Sequence, residues 1–358
     1  MSDALAELGW NERCQALFEP YALRGLTPAR VIRGDRGSAL VATAAGITRA
    51  APAIRLLKVA RGAVDLAVVG DWVAVMDAEA IDVPLIEAVL PRTSTITRGD
   101  PGKGSEVQVL AANVDTVFVV HPIAEPPNLR RIERELALAW DSQAVPVVVL
   151  TKADLSVDVN AARAAVESIA LGVDVLAMNA LARETVAPLL DYMSAHRTAI
   201  LLGPSGAGKS TIVNALLGRQ RQETRAVRVS DQRGRHTTVA RELIVLPDGG
   251  VLIDTPGLRA LDVTGSEEGV TLAFSDIEQL SDACRFRDCA HQDEPGCAVR
   301  AAIDAGMLPA ARLASYQKLM REAEVAAART DTRLRAEEDR KAKIIGKAAK
   351  AYFKNHRR

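Results

Sequence analysis

The spacing of hydrophobic and polar residues changes along the chain, and each change predicts a different kind of structure. Over 1–30, apolar and polar positions alternate at helical spacing, which predicts an N-terminal helical extension. From Val31 onward the apolar residues form short runs broken by Gly and Pro, such as LAVVGDWVAVM and PLIEAVLP. Short strands at this spacing predict a five-stranded OB-like β-barrel over 31–94. A small β-domain used only for packing fits the same pattern.

The next segment, 95–262, alternates unbroken Val, Ile and Leu strands with amphipathic helices. Its predicted strands include TVFVV, VPVVVL, TAILLG and GVLID, and its predicted helices include NLRRIERELALAWDS and ETVAPLLDYM. Strands that are apolar throughout indicate a mostly parallel sheet with helices on both faces. The pattern then becomes polar and helical over 263–358. The expected fold is therefore multidomain: a β-barrel, a central α/β domain and a C-terminal α-helical domain.

Composition narrows the possible classes of protein. The 358 residues are enough for about two or three domains. Net charge is zero, so any attraction to nucleic acid has to come from a local basic surface. No apolar run reaches the ~20 residues of a membrane span, and the N-terminal sequence lacks the order of a signal peptide. Four cysteines exclude a disulfide scaffold, and we expect a cytoplasmic monomer.

A glycine-rich loop, GPSGAGKS at 203–210, lies between a predicted strand and a predicted helix and matches the phosphate-loop pattern. Its glycines allow backbone N–H groups to face phosphate, and the helix N-terminus favours negative charge. Lys209 is expected to neutralise the β- and γ-phosphates, and Ser210 to ligate Mg²⁺. The predicted phosphate-binding residues are Gly203, Pro204, Ser205, Gly206, Ala207, Gly208, Lys209, Ser210 and Thr211.

A second phosphate-site motif, DTPG, follows the strand GVLID. Asp254 is expected to hold Mg²⁺ through water, and Gly257 to donate its N–H to the γ-phosphate. The polar segment between the two motifs includes Thr237 and Thr238. Either threonine could complete the Mg²⁺ shell only when the γ-phosphate is present, as in a switch. An ordinary surface loop is the alternative.

The residue that orients the attacking water is not at its usual place. Many GTPases carry a Gln directly after D-x-x-G, where this chain has Leu258, which cannot polarise water. His236, beside the two threonines, is the nearest candidate for that role. A purely structural histidine is the alternative.

The stretch VVVLTKAD, 147–154, resembles a guanine-reading motif but precedes the phosphate loop. A carboxylate that accepts from both N1–H and N2–H₂ selects guanine over adenine, and Asp154 is placed for this. Lys152 is expected to pack its stem over the base. Thr151 replaces the usual Asn and is expected to keep one of its two bonds to the phosphate loop. The predicted base-loop residues are Thr151, Lys152, Ala153 and Asp154.

The next predicted strand is followed by Asn179, Ala180 and Leu181, where GTPases have Ser-Ala-x to support the guanine carbonyl with backbone N–H. Replacing Ser by Asn leaves that backbone role intact. The motif order is therefore base loop, base support, phosphate loop, switch and D-x-x-G. A parallel sheet tolerates this order when the old termini are joined and the chain is cut elsewhere. The sequence thus predicts a circularly permuted GTPase.

Several motifs together resemble one known family. The permuted motifs, VGDWV at 69–73, GRHTT at 234–238 and the Cys/His cluster described below are similar to those of the RsgA (YjeQ) family of small-subunit-dependent GTPases. The resemblance covers the chain from about Val31 to the tail. It implies an N-terminal OB-fold, a permuted GTPase core, a C-terminal zinc domain and a late role in 30S maturation. It also implies that His236 positions the water and that Thr238 is the switch threonine.

The Cys/His cluster, CRFRDCAHQDEPGC, supplies three thiolates and one imidazole. Such a set is complete for a tetrahedral structural Zn²⁺ and leaves no open position for catalysis. Incidental thiols are the alternative from the spacing alone. In the family that the chain resembles, the same four-ligand set binds zinc. The predicted ligands are Cys284, Cys289, His291 and Cys297.

The tail over 333–358 has ten Lys/Arg residues against three acidic residues. A solvated helix face is the alternative to a binding surface. In a chain of zero net charge, a one-sided basic stripe favours contact with phosphates of 16S rRNA. The stripe consists of Lys343, Lys347, Lys350 and Lys354.

The expected function is a Mg²⁺-dependent GTPase that docks on the 30S subunit and uses GTP hydrolysis to leave it. The expected catalytic residues are His236, Lys209, Thr238 and Asp254, and the Mg²⁺ ligands are Ser210, Thr238 and Asp254. Without the usual Gln, hydrolysis is expected to be slow until the subunit stimulates it. Two alternatives are a metabolic P-loop enzyme such as a kinase, and an RNA-binding scaffold in which the nucleotide is only structural.

Overall fold

The computed structural model describes residues 3–35, 37–59, 63–76, 83–99, 107–218, 241–254 and 266–327. The chain begins with α1 (Asp3–Glu7) and α2 (Glu12–Ala22), in agreement with the predicted helical extension. Asn11 caps α2, because its side chain accepts a hydrogen bond from the Cys14 N–H. The two helices pack on the following domain through Trp10, whose ring meets Trp72 edge-on with 4.8 Å between centroids.

The predicted barrel is present. Strands β1 and β4 pair with each other and close the order β1-β2-β3-β5-β4 into a barrel. Its interior is filled by small and branched side chains, including Val31, Val41 and Val73. The first strand begins at Thr27, ahead of the predicted start at Val31. The elements are β1 (Thr27–Asp35), β2 (Ser38–Thr43), β3 (Gly46–Pro52), α3 (Ile54–Val59), a 3₁₀ helix (Ala63–Asp65), β4 (Trp72–Met76) and β5 (Leu85–Val89).

A hairpin and a six-stranded sheet follow. The hairpin pairs β6 (Thr95–Gly99) with β7 (Val107–Ala112). The sheet order is β10-β9-β8-β11-β13-β12, parallel except for β12, which is antiparallel to β13. The chain therefore enters this sheet in the middle, at β8. The strands are β8 (Thr116–Pro122), β9 (Val145–Thr151), β10 (Asp174–Ala177), β11 (Thr198–Leu202), β12 (Glu242–Val245) and β13 (Val251–Asp254).

Helices cover this sheet, and one of them differs from its prediction. The stretch ETVAPLLDYM forms only a short α-helix before a 3₁₀ helix, because Pro188 lacks the N–H that an α-helix needs there. The predicted helix is therefore present, with 3₁₀ geometry over its second half. The helices are α4 (Leu129–Asp141), a 3₁₀ helix (Ala153–Leu155), α5 (Val159–Glu167), α6 (Arg183–Val186), a 3₁₀ helix (Ala187–Met193) and α7 (Lys209–Leu217).

The barrel and the α/β sheet are joined. Strand β1 pairs with β12 at Arg33 and Glu242, so the two sheets form one continuous eleven-stranded sheet. Arg30 lies in the joint with 1% of its surface exposed. Its guanidinium donates to the Gly70 carbonyl at 3.3 Å and to Thr198 Oγ1 at 2.8 Å. This single side chain thus links β1 of the barrel to β11 of the α/β domain.

The C-terminal region is helical, as predicted, and packs on α4. Gly269 of α8 lies so close to this helix that a Cβ placed there would be 2.4 Å from the Ala137 carbonyl oxygen. The helices are α8 (Glu267–Ala273), α9 (Ser275–Ser281), α10 (Ala298–Asp304) and α11, whose described part covers 310–327. Across the described ranges, we find no helix with the length and apolar character to cross a bilayer.

Candidate functional site

The predicted phosphate loop connects β11 to α7 at the carboxyl edge of the sheet. Gly203 has φ 147°, and a Cβ at this position would lie 2.2 Å from the Val120 carbonyl oxygen. Gly208 has φ 94° immediately before the first residue of α7. Both positions therefore require glycine, one because the backbone of β8 is so close and both because their φ is positive.

Lys209 lies against this loop. Its ammonium donates to the carbonyl oxygens of Gly203 and Pro204, both at 2.7 Å. Burial lowers the pKa of Lys209, while the negative charge of Glu135 opposes this shift and Arg131 reinforces it. The loop therefore holds a partly desolvated cation at the helix N-terminus, an arrangement suited to phosphate.

The base loop contacts the phosphate loop directly. Thr151, at the end of β9, is fully buried, and its hydroxyl donates to the Ala207 carbonyl oxygen at 2.5 Å. This is the one bond that the sequence led us to expect from Thr in place of Asn. Lys152 follows in the left-handed region with φ 57°, and Asp154 is exposed. Asp154 is therefore accessible to a ligand at the same edge of the sheet as the phosphate loop.

The predicted base support lies beside the base loop. The Ala153 N–H donates to the Met178 carbonyl at 3.3 Å, which joins the loops after β9 and β10. Asn179 organises the second loop, because its side-chain oxygen accepts from the Leu181 N–H at 3.0 Å. A serine, with a shorter side chain, would make the equivalent turn with its hydroxyl. The Asn179-Ala180-Leu181 segment is therefore held in place next to TKAD.

The two described Mg²⁺ candidates share this edge. Ser210 lies in the first turn of α7, and Asp254 is the last residue of β13, the strand next to β11. The remaining predicted residues of the nucleotide site and the basic stripe lie outside the described residues. These are His236, Thr237, Thr238, Gly257, Leu258, Lys343, Lys347, Lys350 and Lys354.

The four predicted metal ligands come together between α9 and α10, with all donor atoms within 4.8 Å of one another. Nδ1 of His291 is 3.7 Å from Cys284 Sγ and 3.5 Å from Cys297 Sγ, and these two sulfurs are 4.0 Å apart. A tetrahedral zinc with bonds of about 2.3 Å to sulfur places two sulfurs about 3.8 Å apart. The cluster therefore fits a single tetrahedral ion.

The surroundings of the cluster also suit a metal. Nε2 of His291 is 3.0 Å from Ser281 Oγ, which leaves Nδ1 facing the three sulfurs. The Cys284 and Cys297 sulfurs each accept a backbone N–H at 3.4 Å, from Ala298 and Arg300. These bonds favour thiolates, the form that binds metal.

One group beside the phosphate loop was missed by the sequence analysis. His121 of β8 and Glu135 of α4 are buried, with 2.5 Å between Nε2 and Oε2, and Arg131 Nε lies 3.0 Å from Glu135 Oε1. The sequence did contain one indication that Glu135 is buried. It lies one helical turn after Ile132 and beside Leu136, on the apolar face of α4.

The fold and the site define a class of protein. A phosphate loop and a base loop that share one edge of a parallel sheet, with the base loop earlier in the chain, make this a circularly permuted GTPase. A family model described as RsgA GTPase matches residues 89–264. A protein of Streptomyces coelicolor with the name small ribosomal subunit biogenesis GTPase RsgA is 48% identical, over 97% of this chain and 94% of its own. The chain therefore belongs to the RsgA family of GTPases and hydrolyses GTP.

Further relatives agree. A protein of the same name from Opitutus terrae is 45% identical over 95% of each chain. The crystal structure of YjeQ from Thermotoga maritima has a TM-score of 0.61 and 25% identity, covering 83% of this chain and 98% of that one. The structure of YloQ, described as a circularly permuted GTPase, has a TM-score of 0.59 at 21% identity and supports the fold alone. The predicted family and permutation are confirmed, and the kinase and scaffold alternatives are set aside.

Proposed function

We propose that this GTPase binds the small (30S) ribosomal subunit, acts in its late maturation in the cytoplasm and uses GTP hydrolysis to leave. The observation that carries the proposal is the match to proteins named small ribosomal subunit biogenesis GTPase along nearly the whole chain. A match confined to the GTPase domain would have left the barrel and the helical domain without a role. Because 97% of this chain is matched, the match includes the barrel and the helical domain as well as the GTPase domain.

The geometry of the described loops supports the proposed nucleotide roles. Asp154 selects guanine, because its carboxylate is exposed beside a base loop that Thr151 ties to the phosphate loop. When nucleotide binds, Lys209 turns its ammonium toward the β- and γ-phosphates. It then gives up the carbonyl oxygens of Gly203 and Pro204 for charged phosphate oxygens, which are stronger acceptors. The remaining proposed contacts are Lys152, Ala153, Asn179, Ala180, Leu181, Gly203, Pro204, Ser205, Gly206, Ala207, Gly208, Ser210, Thr211 and Gly257.

Hydrolysis uses Mg²⁺, which supplies charge neutralisation between the β- and γ-phosphates. We assign its ligands to Ser210, Thr238 and, through water, Asp254. We assign orientation of the attacking water to His236, since Leu258 has no polar group for this task. Because Leu258 stands in place of the usual Gln, hydrolysis by the free protein is expected to be slow until the 30S subunit stimulates it.

The C-terminal domain is proposed to hold one structural Zn²⁺ on Cys284, Cys289, His291 and Cys297. Three thiolates and one imidazole are the ligand types that zinc prefers, and no ligand position is left for a substrate. The basic stripe of the tail, Lys343, Lys347, Lys350 and Lys354, is assigned to contact with 16S rRNA.

The test is GTP turnover by the monomeric protein, alone and with purified 30S subunits. We expect roughly a hundredfold or greater stimulation by 30S subunits, since partner-stimulated GTPases gain up to ~10⁵. Purified 50S subunits serve as the matched control and should leave turnover unchanged. Equal rates with and without 30S subunits would contradict the coupling to the small subunit. A Lys209→Ala variant should lose nucleotide binding and with it the stimulation.

A further inference from the structure

The buried group on α4 and β8 is built to hold the end of a strand in place. Glu135 has no exposed surface, and both of its carboxylate oxygens are bonded. Nε2 of His121 lies 2.5 Å from Oε2, and Arg131 donates from Nε to Oε1 at 3.0 Å. A buried carboxylate is strongly unfavourable when one partner is missing, so these three side chains hold their relative positions together. They fix the last residues of β8 to the first turns of α4.

The end of β8 supports both nucleotide loops. The Val120 carbonyl lies against Gly203, the first residue of the phosphate loop. The next carbonyl oxygen, that of His121, lies 3.4 Å from Thr151 Oγ1. The same hydroxyl donates to Ala207 of the phosphate loop at 2.5 Å. A displacement of His121 therefore moves the phosphate loop and the base loop together.

Glu135 also acts electrostatically on Lys209, the cation of the phosphate loop. Among the charged side chains in the described part of the chain, Glu135 has a larger effect on Lys209 than Arg131 or Asp254. Burial lowers the pKa of Lys209, and the carboxylate of Glu135 works against that shift. The three-residue group thus acts on the phosphate site electrostatically as well as through the backbone of β8.

We propose that Glu135, held by His121 and Arg131, is a positioning residue that sets the phosphate and base loops for guanine-nucleotide binding. The proposal rests on the nucleotide role assigned above to residues 203–211. It makes Glu135 necessary for affinity, although a negative charge beside an anion site is by itself unfavourable for phosphate. The two effects of removing this charge have opposite signs, which allows an experiment to separate them.

The experiment compares Glu135→Gln with a matched control, Glu167→Gln. Glu167 pairs with Arg163 at the same four-residue spacing on α5, with 2.7 Å between Nε and Oε1, but in an exposed position. We expect Glu135→Gln to raise the dissociation constants of fluorescent GDP and of GTP by about tenfold, the size of one charged hydrogen bond. Both dissociation constants are measured directly, at temperatures where thermal unfolding shows the variant to be folded. The control should change neither quantity.

Two His121 variants keep the proposal open to disproof if Glu135→Gln folds poorly, which thermal unfolding would reveal. His121→Gln retains a terminal N–H near the place of Nε2 and should restore most of the affinity that His121→Leu loses. A merely structural role would lower the melting temperature of both variants with KM unchanged at temperatures where they are folded. Unchanged or tighter nucleotide binding by Glu135→Gln and His121→Leu would overturn the proposal. If Lys209→Ala also bound GDP normally, the assigned nucleotide site would be wrong instead.

Discussion

At the scale of single residues, Thr151 shows how much of a motif a substitution can preserve. The sequence predicted that its hydroxyl would keep one link between the base loop and the phosphate loop, and the structure has that link at 2.5 Å to Ala207. The prediction succeeded because Thr151 acts through one short hydrogen bond and its partner belongs to another recognisable motif, the phosphate loop. The His121–Glu135 pair was missed because a carboxylate on an apolar helix face does not reveal which strand supplies its partner.

Replacement of Thr151 by Val tests this link. The variant keeps the shape of the side chain and leaves the Ala207 carbonyl without its hydroxyl donor, at a cost of about 1–1.5 kcal/mol. We expect fluorescent GDP to dissociate about five- to tenfold faster, as measured by stopped-flow displacement. Preference for GDP over ADP should persist, because Asp154 is untouched. A dissociation rate equal to that of the wild type would show that the bond does not hold the two loops together.

At the scale of elements, α4 (Leu129–Asp141) connects the nucleotide site to the C-terminal domain. Glu135 faces β8, while the neighbouring residues face the C-terminal helices. Arg312 donates to Glu133 at 3.0 Å and to Asp276 of α9 at 2.6 Å. Arg134 holds Glu322 with two bonds, at 2.6 and 3.1 Å. The helical spacing of apolar residues in α4 was predictable from its sequence. The residues that pair with Glu133 and Arg134 lie too far along the chain for any local pattern to indicate them.

The buried Arg312 pair gives a stability prediction. Replacement by Met leaves the Glu133 carboxylate buried without its cation, which should lower the free energy of unfolding by about 3–5 kcal/mol. Urea unfolding measures this, and Arg163→Met on the surface of α5 is a control expected to cost less than about 1 kcal/mol. A loss for Arg312→Met no larger than that of the control would contradict the burial argument.

The same variant should depend on pH in a defined direction. Burial raises the pKa of Glu133, and hydrogen bonds from Ser315 and Arg312 act to lower it. Without Arg312 the folded-state pKa rises further above the unfolded value, so the folded variant binds more protons and loses stability as pH increases. The deficit relative to wild type should therefore be smaller at pH 5 than at pH 7. A deficit that grows on acidification would show the opposite linkage.

At the scale of the whole molecule, the domain order was predictable and the contacts between domains were not. Each of three features has its own sequence pattern. Short apolar runs indicate the barrel, the order of the motifs indicates the permuted sheet, and the Cys/His spacing indicates the metal cluster. The joint at Arg30 has none, because its partners Gly70 and Thr198 come from separate parts of the chain. Within the described ranges, Arg30 is buried with no carboxylate at hydrogen-bonding distance, contrary to the usual expectation that a buried charge is paired.

Metal removal tests the organisation of the C-terminal domain. We expect one zinc per chain by elemental analysis, and we expect Cys284→Ser with Cys297→Ser to lose it. A structural zinc contributes about 10–16 kcal/mol in small peptide sites, so the segment between α9 and α10 should then become protease-sensitive. Cys14→Ser, outside the cluster, is the control. Full protection from protease after metal loss would show that the segment folds without an ion.

The pairing of β1 with β12 has a consequence for solubility. Strand β12 stands at the end of the α/β sheet, and such edges expose unpaired N–H and C=O groups that can recruit other chains. The barrel covers this edge at Arg33 and Glu242. At the opposite end, β10 is a strand of only four residues, Asp174–Ala177. Within the described strands, the barrel therefore protects the β12 edge from pairing with other chains. A GTPase domain produced without the barrel would expose this edge and be more prone to self-association.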